Sequence, residues 1–277
     1  MNHIMDETLV LCDFDALMLA PDGNMPQVLR DVLMLFTARG GRLTVFSQRT
    51  PRAVRTVLGS VRLAAPALVC GGSLLYNFAD GQSTALVGLE ALGDDFLASL
   101  PTAPGVGVAL QMKDGATRVL RMSKTLEAHL HREWTPYLLG KPEGLHSADV
   151  LRVLLYQDSK NISVLQLFER ALVQSAAPVK AEHYGTDCLI LTPKELRPQN
   201  AFEALCSAAG IQPEQVAVVA GGAPLLELMQ LAGHSAAASD APAEVRMAAE
   251  RLLLCHCAEG AAAEYLYGLV RKAEIAG

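Results

Sequence analysis

An apolar strand that ends in two aspartates constrains this chain more than any other feature. Residues 9–12 are all apolar, and Asp13 and Asp15 follow them. In an extended backbone, residues two positions apart point to the same side. We therefore predict that both carboxylates face one crevice at the carboxyl end of a buried strand, where open α/β sheets bind ligands. Such a pair suits a hard cation such as Mg²⁺, or a division of roles between nucleophile and general acid. The alternative is a strand that simply ends in a polar turn.

Apolar strands alternate with helices over the first 80 residues, and the same alternation returns near the end of the chain. This pattern predicts a parallel sheet with helices on both faces. The predicted strands are 8–12, 42–46, 67–70, 188–191, 216–220, 235–238 and 251–255, and the predicted helices are 27–38, 51–58, 200–209, 224–232 and 261–272.

The alternation breaks in the middle of the chain. A hairpin is predicted around Asp80-Gly81, and amphipathic segments follow it, among them a predicted helix over 125–138 and a segment over 162–175. We therefore expect a discontinuous core domain formed by residues 1–83 and 186–277, with an inserted α+β domain over residues 84–185. The chain is accordingly assigned to the α/β class.

Composition narrows the possible partners. The 277 residues are 51% hydrophobic and 19% charged, with a formal net charge of −6, which gives no support for binding nucleic acid or an anionic membrane. No apolar run approaches the ~20 residues that span a bilayer. The first seven residues lack the features of a signal peptide, so we expect a cytoplasmic protein. Cys255-His256-Cys257 lacks a second pair at zinc spacing, and the six cysteines are expected to be reduced.

Seven short motifs in the right order resemble the haloacid dehalogenase (HAD) superfamily, and more narrowly its Cof-type sugar-phosphate phosphatases. They are Asp13-Phe14-Asp15, Phe46-Ser47-Gln48-Arg49, Cys70-Gly71-Gly72-Ser73-Leu74-Leu75-Tyr76, Leu191-Thr192-Pro193-Lys194, the segment 210–216, the segment 227–233 and the segment 240–245. The resemblance covers essentially the whole chain. It implies a HAD-like Rossmannoid parallel-sheet core with an inserted Cof-type α+β cap.

The resemblance also implies roles for individual residues. Asp13 matches the nucleophile that becomes an aspartyl phosphate, and Asp15 matches the acid/base that protonates the leaving alcohol. Ser47 matches the hydroxyl that binds phosphate, or else it caps the following helix. Mg²⁺ would be the cofactor, held by Asp13 and by the backbone carbonyl of Asp15. Arg49 would meet an anionic substrate or pair with a surface acid.

Four positions depart from the family pattern. Leu17 stands where a small polar residue helps to fix the acid/base, and Pro198 stands where a phosphate-binding lysine is expected. In the acidic metal loop, Gly221 and Leu225 replace both aspartates. The expected magnesium site is therefore incomplete unless a carboxylate outside the motifs, such as Asp240 or Glu227, completes it.

Two functions follow from this pattern of matches and departures. The first is a phosphatase of sugar-phosphate type, acting on a small phosphorylated metabolite with weak turnover. The alternative is an inactive homologue that binds a ligand or a protein partner. Gly221-Gly222 would present backbone N–H groups to an anion, or would form a plain turn. The substrate and any protein partner are not specified by the sequence.

Overall fold

The computed structural model describes residues 8–158 and 164–276. The expectation about the first seven residues, and the start of the amphipathic segment predicted from Ile162, lie outside these ranges. The described chain divides into two compact units. The first contains the chain up to Gln48, Val54–Gln82 and the chain from Pro198 onward, and the second contains Arg49–Ala53 and Ser83–Arg197.

Both units contain strands and helices. Within the described ranges the strands are β1 (Leu9–Asp13), β2 (Arg42–Phe46), β3 (Ala67–Val69), β4 (Leu74–Tyr76), β5 (Ser83–Ala85), β6 (Val106–Met112), β7 (Thr117–Arg121), β8 (Tyr137–Leu139), β9 (Val150–Gln157), β10 (Val179–Tyr184), β11 (Cys188–Pro193), β12 (Val216–Ala220), β13 (His234–Ala237) and β14 (Arg251–Leu252). The α-helices are α1 (Phe14–Leu17), α2 (Gln27–Ala38), α3 (Pro51–Leu58), α4 (Asp94–Ala98), α5 (Lys124–Arg132), α6 (Val164–Gln174), α7 (Pro198–Ala209), α8 (Leu226–Leu231), α9 (Ala243–Ala248) and α10 (Ala261–Ala276).

An eight-stranded sheet, in the order β14-β13-β12-β1-β2-β3-β4-β5, carries the candidate site. Its strands from β14 to β3 are parallel, and β4 turns back antiparallel to β3. All five residues of β1 are buried, as expected for a strand covered by helices on both faces. The predicted α/β fold with a parallel sheet is therefore confirmed.

The second unit is built on a six-stranded sheet in the order β10-β11-β9-β6-β7-β8. Its neighbouring strands are antiparallel except for the parallel pair β7 and β8. Buried apolar side chains form two separate clusters in this unit, one containing Val153 and Leu155 and the other Leu154 and Tyr156. The two clusters lie on opposite faces because neighbouring residues of β9 alternate between the faces of the sheet.

The prediction that residues 188–191 return the chain to the parallel sheet is wrong. This segment is β11, which pairs antiparallel with β9 and β10 in the second sheet. The second unit consequently continues to Arg197 instead of ending at residue 185. The error has a physical reason: a short, fully buried apolar strand has the same sequence pattern in the middle of either kind of sheet.

Two other predicted elements are shorter than expected. The helix predicted over 125–138 ends at Arg132, and Trp134 adopts a left-handed conformation with φ of 54° before β8 begins at Tyr137. Pro136 disfavours a helical conformation for the residue before it, which explains the early end. The strand predicted over 251–255 is limited to Arg251–Leu252. No helix within the described ranges is long and apolar enough to cross a bilayer.

Candidate active site

Asp13 is the last residue of β1 and the N-cap of the short helix α1. Its Oδ1 accepts a hydrogen bond from the backbone N–H of Ala16 at 3.1 Å, and its Oδ2 accepts one from Gly221 at 3.2 Å. The residue is only 4% exposed. Its carboxylate is therefore fixed in one orientation by backbone donors from two different strand ends.

Asp15 does not continue the strand, so the extended geometry assumed for the pair is wrong. It lies in the first turn of α1, which begins directly after Asp13. Its carboxylate accepts the backbone N–H of Gln48 at 2.6 Å, and the Ser47 hydroxyl donates to it with Oγ 3.0 Å from Oδ2. The two carboxylates still lie close enough for the charge on Asp15 to act on Asp13.

Ser47 follows β2 and is held there by the turn after β3. Its backbone N–H donates to the carbonyl of Leu68 at 2.8 Å, and its own carbonyl accepts the N–H of Gly71 at 2.9 Å. This turn places three consecutive residues at positive φ: Cys70 at 52°, Gly71 at 63° and Gly72 at 86°. Glycine adopts this conformation without strain, which explains the Gly-Gly pair at this position. Ser47 is fully buried.

Burial and the neighbouring charge on Asp15 together raise the pKa of Asp13 to about 7, although the backbone N–H groups of Ala16, Gly221 and Gly222 oppose the change. Burial raises the pKa because it removes solvation from the charged form. Asp13 consequently changes its protonation state close to neutral pH.

Gly221 and Gly222 follow β12 and lie beside Asp13. The predicted role of this pair was to present backbone N–H groups to an anion, and those groups face the carboxylate of Asp13 itself. A Cβ added at Gly222 would lie 3.5 Å from Asp13 Oδ2, an ordinary contact distance. The structure thus brings Asp13, Asp15, Ser47, Gly221 and Gly222 together within the first unit.

The space beside Gly221 is filled by the chain. A Cβ added at Gly221 would lie 2.7 Å from Ala16 Cβ, 2.8 Å from Leu17 Cδ2 and 2.9 Å from Cys257 Sγ. Cys257 is held in place because its backbone N–H donates to Asp240 Oδ1 at 2.7 Å. We call Leu17 and Cys257 the filling pair. Sequence reasoning does not place Cys257 in this site, because it lies more than thirty residues after Gly221.

The residues present do not fit the magnesium site that the resemblance implies. Mg²⁺ prefers oxygen ligands in octahedral geometry, and neither Gly221 nor Leu225 supplies one from its side chain. Burial and the Asp240 carboxylate, with a contribution from Asp13, raise the pKa of Cys257 to about 12, so its thiol stays neutral. No group of three or more acidic, histidine or cysteine side chains suited to a metal occurs within the described ranges.

The two carboxylates considered as substitutes lie on the surface. Asp240 Oδ1 accepts the backbone N–H of Cys257, and Glu227 is exposed in the first turn of α8. Leu225 is completely buried, so its side chain belongs to the core. Pro198 is the first residue of α7 and carries no charge where the resemblance implies a lysine.

Arg49 belongs to the second unit. It is only 7% exposed, and its Nη1 donates to the backbone carbonyl of Glu133 at 3.2 Å. Burial would raise the pKa of Glu133, but the hydrogen bond from His129 and the charges of His129, Arg49 and Arg132 lower it instead. The acid beside Arg49 is thus the half-buried Glu133 and not a surface acid, and a contact of Arg49 with substrate stays a prediction.

Comparisons with known proteins agree with this architecture. Residues 10–266 match the family model of the haloacid dehalogenase-like hydrolases. A haloacid dehalogenase-like hydrolase from Bacteroides thetaiotaomicron superposes with a TM-score of 0.80 at 14% identity, covering 95% of this chain and 99% of its own. A Thermotoga maritima protein gives 0.79 at 15% identity, covering 94% and 97%. A sugar phosphatase of HAD subclass IIB gives 0.73 at 14% identity, covering 95% and 99%. No curated protein matches the sequence.

The structural neighbours establish the fold, and the family model extends over nearly the whole chain. This chain belongs to the haloacid dehalogenase-like hydrolase family and has the fold of its Cof-type members.

Proposed function

We propose that this protein hydrolyses phosphomonoesters of the sugar-phosphate type, with turnover far below that of a family member that keeps the complete metal loop. The observation that carries the proposal is the pair of carboxylates at the end of β1. Backbone donors fix Asp13, and Ser47 and Gln48 fix Asp15 beside it. Groups held in this way need little reorganisation during a reaction.

Each aspartate has one role in the proposed reaction. The reaction uses the protonation state in which Asp13 is ionised and Asp15 carries a proton. The carboxylate of Asp13 attacks phosphorus while the bond from phosphorus to the alcohol oxygen breaks, and Asp15 gives its proton to that oxygen. Asp15 then takes a proton from water, whose oxygen attacks the phosphorus of the aspartyl phosphate while the bond from phosphorus to the Asp13 carboxylate oxygen breaks. The products are the alcohol and inorganic phosphate, and both aspartates return to their starting states.

Low turnover follows from what surrounds the pair. The Ser47 hydroxyl and the Gly221 backbone N–H, both implied to face phosphate, donate instead to Asp15 and Asp13. Pro198 adds no positive charge. Loss of one preorganised contact to the transition state typically slows an enzyme by ~10²–10³-fold. The filling pair and the neutral position 198 therefore predict a slow enzyme.

A second function, ligand binding without hydrolysis, is favoured by one specific observation. The filling pair occupies the space beside Gly221 that a metal-loop side chain would need. The protein would then recognise a small phosphorylated metabolite and release it unchanged. A cytoplasmic location is part of both proposals and is supported by the six free cysteines.

Phosphate release from a panel of sugar phosphates, measured with and without added Mg²⁺, tests the first function. We expect slow release that Asp13→Asn abolishes, because an amide cannot form the aspartyl phosphate. Asp80→Asn, in the exposed turn between β4 and β5, is the matched control and should leave the rate unchanged. Binding of a sugar phosphate in calorimetry without any release, for the unmodified protein, would replace the first function by the second.

A further inference from the structure

A groove of about 530 Å³ runs along α2 in the first unit. It is lined by one side of α2, by Gly41 before β2, and by residues 60–64 before β3. Because β1, β2 and β3 are parallel, the amino ends of β2 and β3 lie at the opposite edge of the sheet from Asp13. The groove is therefore separate from the candidate active site.

The walls of the groove are fixed by packing and hydrogen bonds. The backbone N–H of Ala64 donates to the carbonyl of Leu43 at 2.8 Å, and Thr44 Oγ1 donates to the carbonyl of Pro66 at 2.8 Å. The ring of Phe36 packs over Gly41, where an added Cβ would lie 2.5 Å from the ring. The segment before β3 is thus tied to β2 at Ala64 and Pro66.

The lining combines an apolar floor with two positive charges. Val61 and Leu63 are half-buried and contribute apolar surface above the buried Leu33, and Arg30 and Arg62 contribute guanidinium groups. No lining residue is acidic. The nearby Asp31 carboxylate accepts a hydrogen bond from the Gln27 side chain at 2.7 Å. The groove therefore carries a net positive charge over an apolar base.

The two arginines differ in how firmly they are held. Arg30 Nη2 donates to the carbonyl of Val57 at 3.1 Å, in the last turn of α3, so its guanidinium is already in place. Arg62 is exposed and forms no ion pair within the described ranges. One fixed and one free guanidinium at the same groove are suited to a single anionic head group.

We infer that this groove binds a small amphipathic anion, a carboxylate or phosphate head on a short apolar body. Three observations carry the inference: the apolar floor, the two arginines without an acidic lining residue, and the volume. Sites for small molecules typically have ~300–1,000 Å³, are mostly apolar and use a few polar groups for orientation. The ligand binds at a distance from Asp13 and is not a substrate of the proposed hydrolysis.

Isothermal titration of the full chain with octanoate tests this inference. We expect a single site, with octyl phosphate binding comparably and with octyl glucoside and inorganic phosphate at least about tenfold weaker, since each lacks the charge or the apolar body. Arg62→Gln should weaken octanoate about two- to fivefold, the range of an exposed ion pair. Ala38→Trp, at the exposed end of α2, should fill the groove and abolish binding.

Arg246→Gln provides the matched control, because this exposed arginine of α9 does not line the groove. It should bind octanoate like the unmodified protein. Equal affinity for octyl glucoside, or octanoate binding that survives Ala38→Trp, would overturn the inference. So would self-association in sedimentation experiments that Ala38→Trp prevents, which would identify the groove as a contact between two copies of the chain. Phosphatase activity is not measured, so the outcome is independent of the proposed function.

Discussion

The two glycines beside Asp13 should respond very differently to the addition of one methyl group. At Gly221, the new Cβ would lie 2.7–2.9 Å from Ala16, Leu17 and Cys257. At Gly222, the nearest atoms would be Pro224 Cδ at 3.4 Å and Asp13 Oδ2 at 3.5 Å. Neither position has a positive φ, so any difference comes from the space available and not from backbone strain.

The expected magnitude follows from these distances. Carbon atoms pack best at ~3.5–4.0 Å, so each of the three contacts at Gly221 is too short by about 1 Å. Overpacking of this kind typically destabilises a protein by ~1–3 kcal/mol. We expect Gly221→Ala to lower the free energy of unfolding by about 2–3 kcal/mol and Gly222→Ala by less than about 1 kcal/mol.

A double-mutant cycle identifies the cause. Leu17→Ala together with Cys257→Ala removes the filling pair, at a cost in stability of its own. In that background, Gly221→Ala should destabilise by at least about 1 kcal/mol less than in the unmodified chain. The contact with Ala16 remains, so the destabilisation by Gly221→Ala should be reduced and not abolished.

Chemical denaturation monitored by circular dichroism measures these differences. The reasoning would be refuted if Gly221→Ala and Gly222→Ala had equal effects. It would also be refuted if removal of the filling pair left the effect of Gly221→Ala unchanged. Either result would mean that the space beside Gly221 is open.

Three further predictions concern the same site. The first concerns pH, in buffer with EDTA. The pKa of Asp13 is about 7 in the folded protein and ~3.9 in the unfolded chain. Its contribution to the free energy of unfolding is therefore fully present below about pH 4 and is lost as the pH rises through 7. Relative to Asp13→Asn, the unmodified protein should lose about 4 kcal/mol of stability between about pH 4 and pH 8. If the free energies of unfolding of the two proteins changed equally with pH, the raised pKa would be contradicted. Ser47→Ala removes the hydroxyl that donates to Asp15 and should destabilise by ~1.5–3 kcal/mol, whereas exposed Ser207→Ala should have no effect in the same denaturation assay. A third variant removes the filling pair and then adds Gly221→Asp, Leu225→Asp and Pro198→Lys. It should bind Mn²⁺, as seen by electron paramagnetic resonance, and should release phosphate faster. A folded variant without either gain would show that the site has diverged beyond these positions.

The first half of the fold could be predicted because its elements depend on local patterns. The run of apolar residues before Asp13 is buried on both faces, and such runs identify the central strands of a parallel sheet. The helix over Gln27–Ala38 was predicted with its observed ends, since an apolar stripe and a following Gly-Gly mark it. By contrast, β11 has the same apolar pattern but pairs antiparallel with β9, and pairing partners are not encoded in a single segment.

The candidate site likewise contains residues that could be predicted from the sequence and residues that could not. Asp13, Asp15 and Ser47 come directly after predicted strands, and the structure brings them together. The helical turn at Asp15 was missed because an N-cap at Asp13 starts a helix without any longer periodic signal. Cys257 was missed because its contact with Gly221 depends on how the chain after β14 returns to the first strand. The Cys255-His256-Cys257 cluster lacks a second pair at zinc spacing and does not point to Gly221.

A crystal structure of the unmodified protein soaked with Mg²⁺ and orthovanadate tests the central claim most directly. The account predicts Leu17 and Cys257 packed against Gly221, and no octahedral cation density between the Asp13 carboxylate and the carbonyl of Asp15. A hexacoordinate cation at that position, with the filling pair displaced, would contradict it and would show that the chain assembles a complete metal site from residues outside the family motifs.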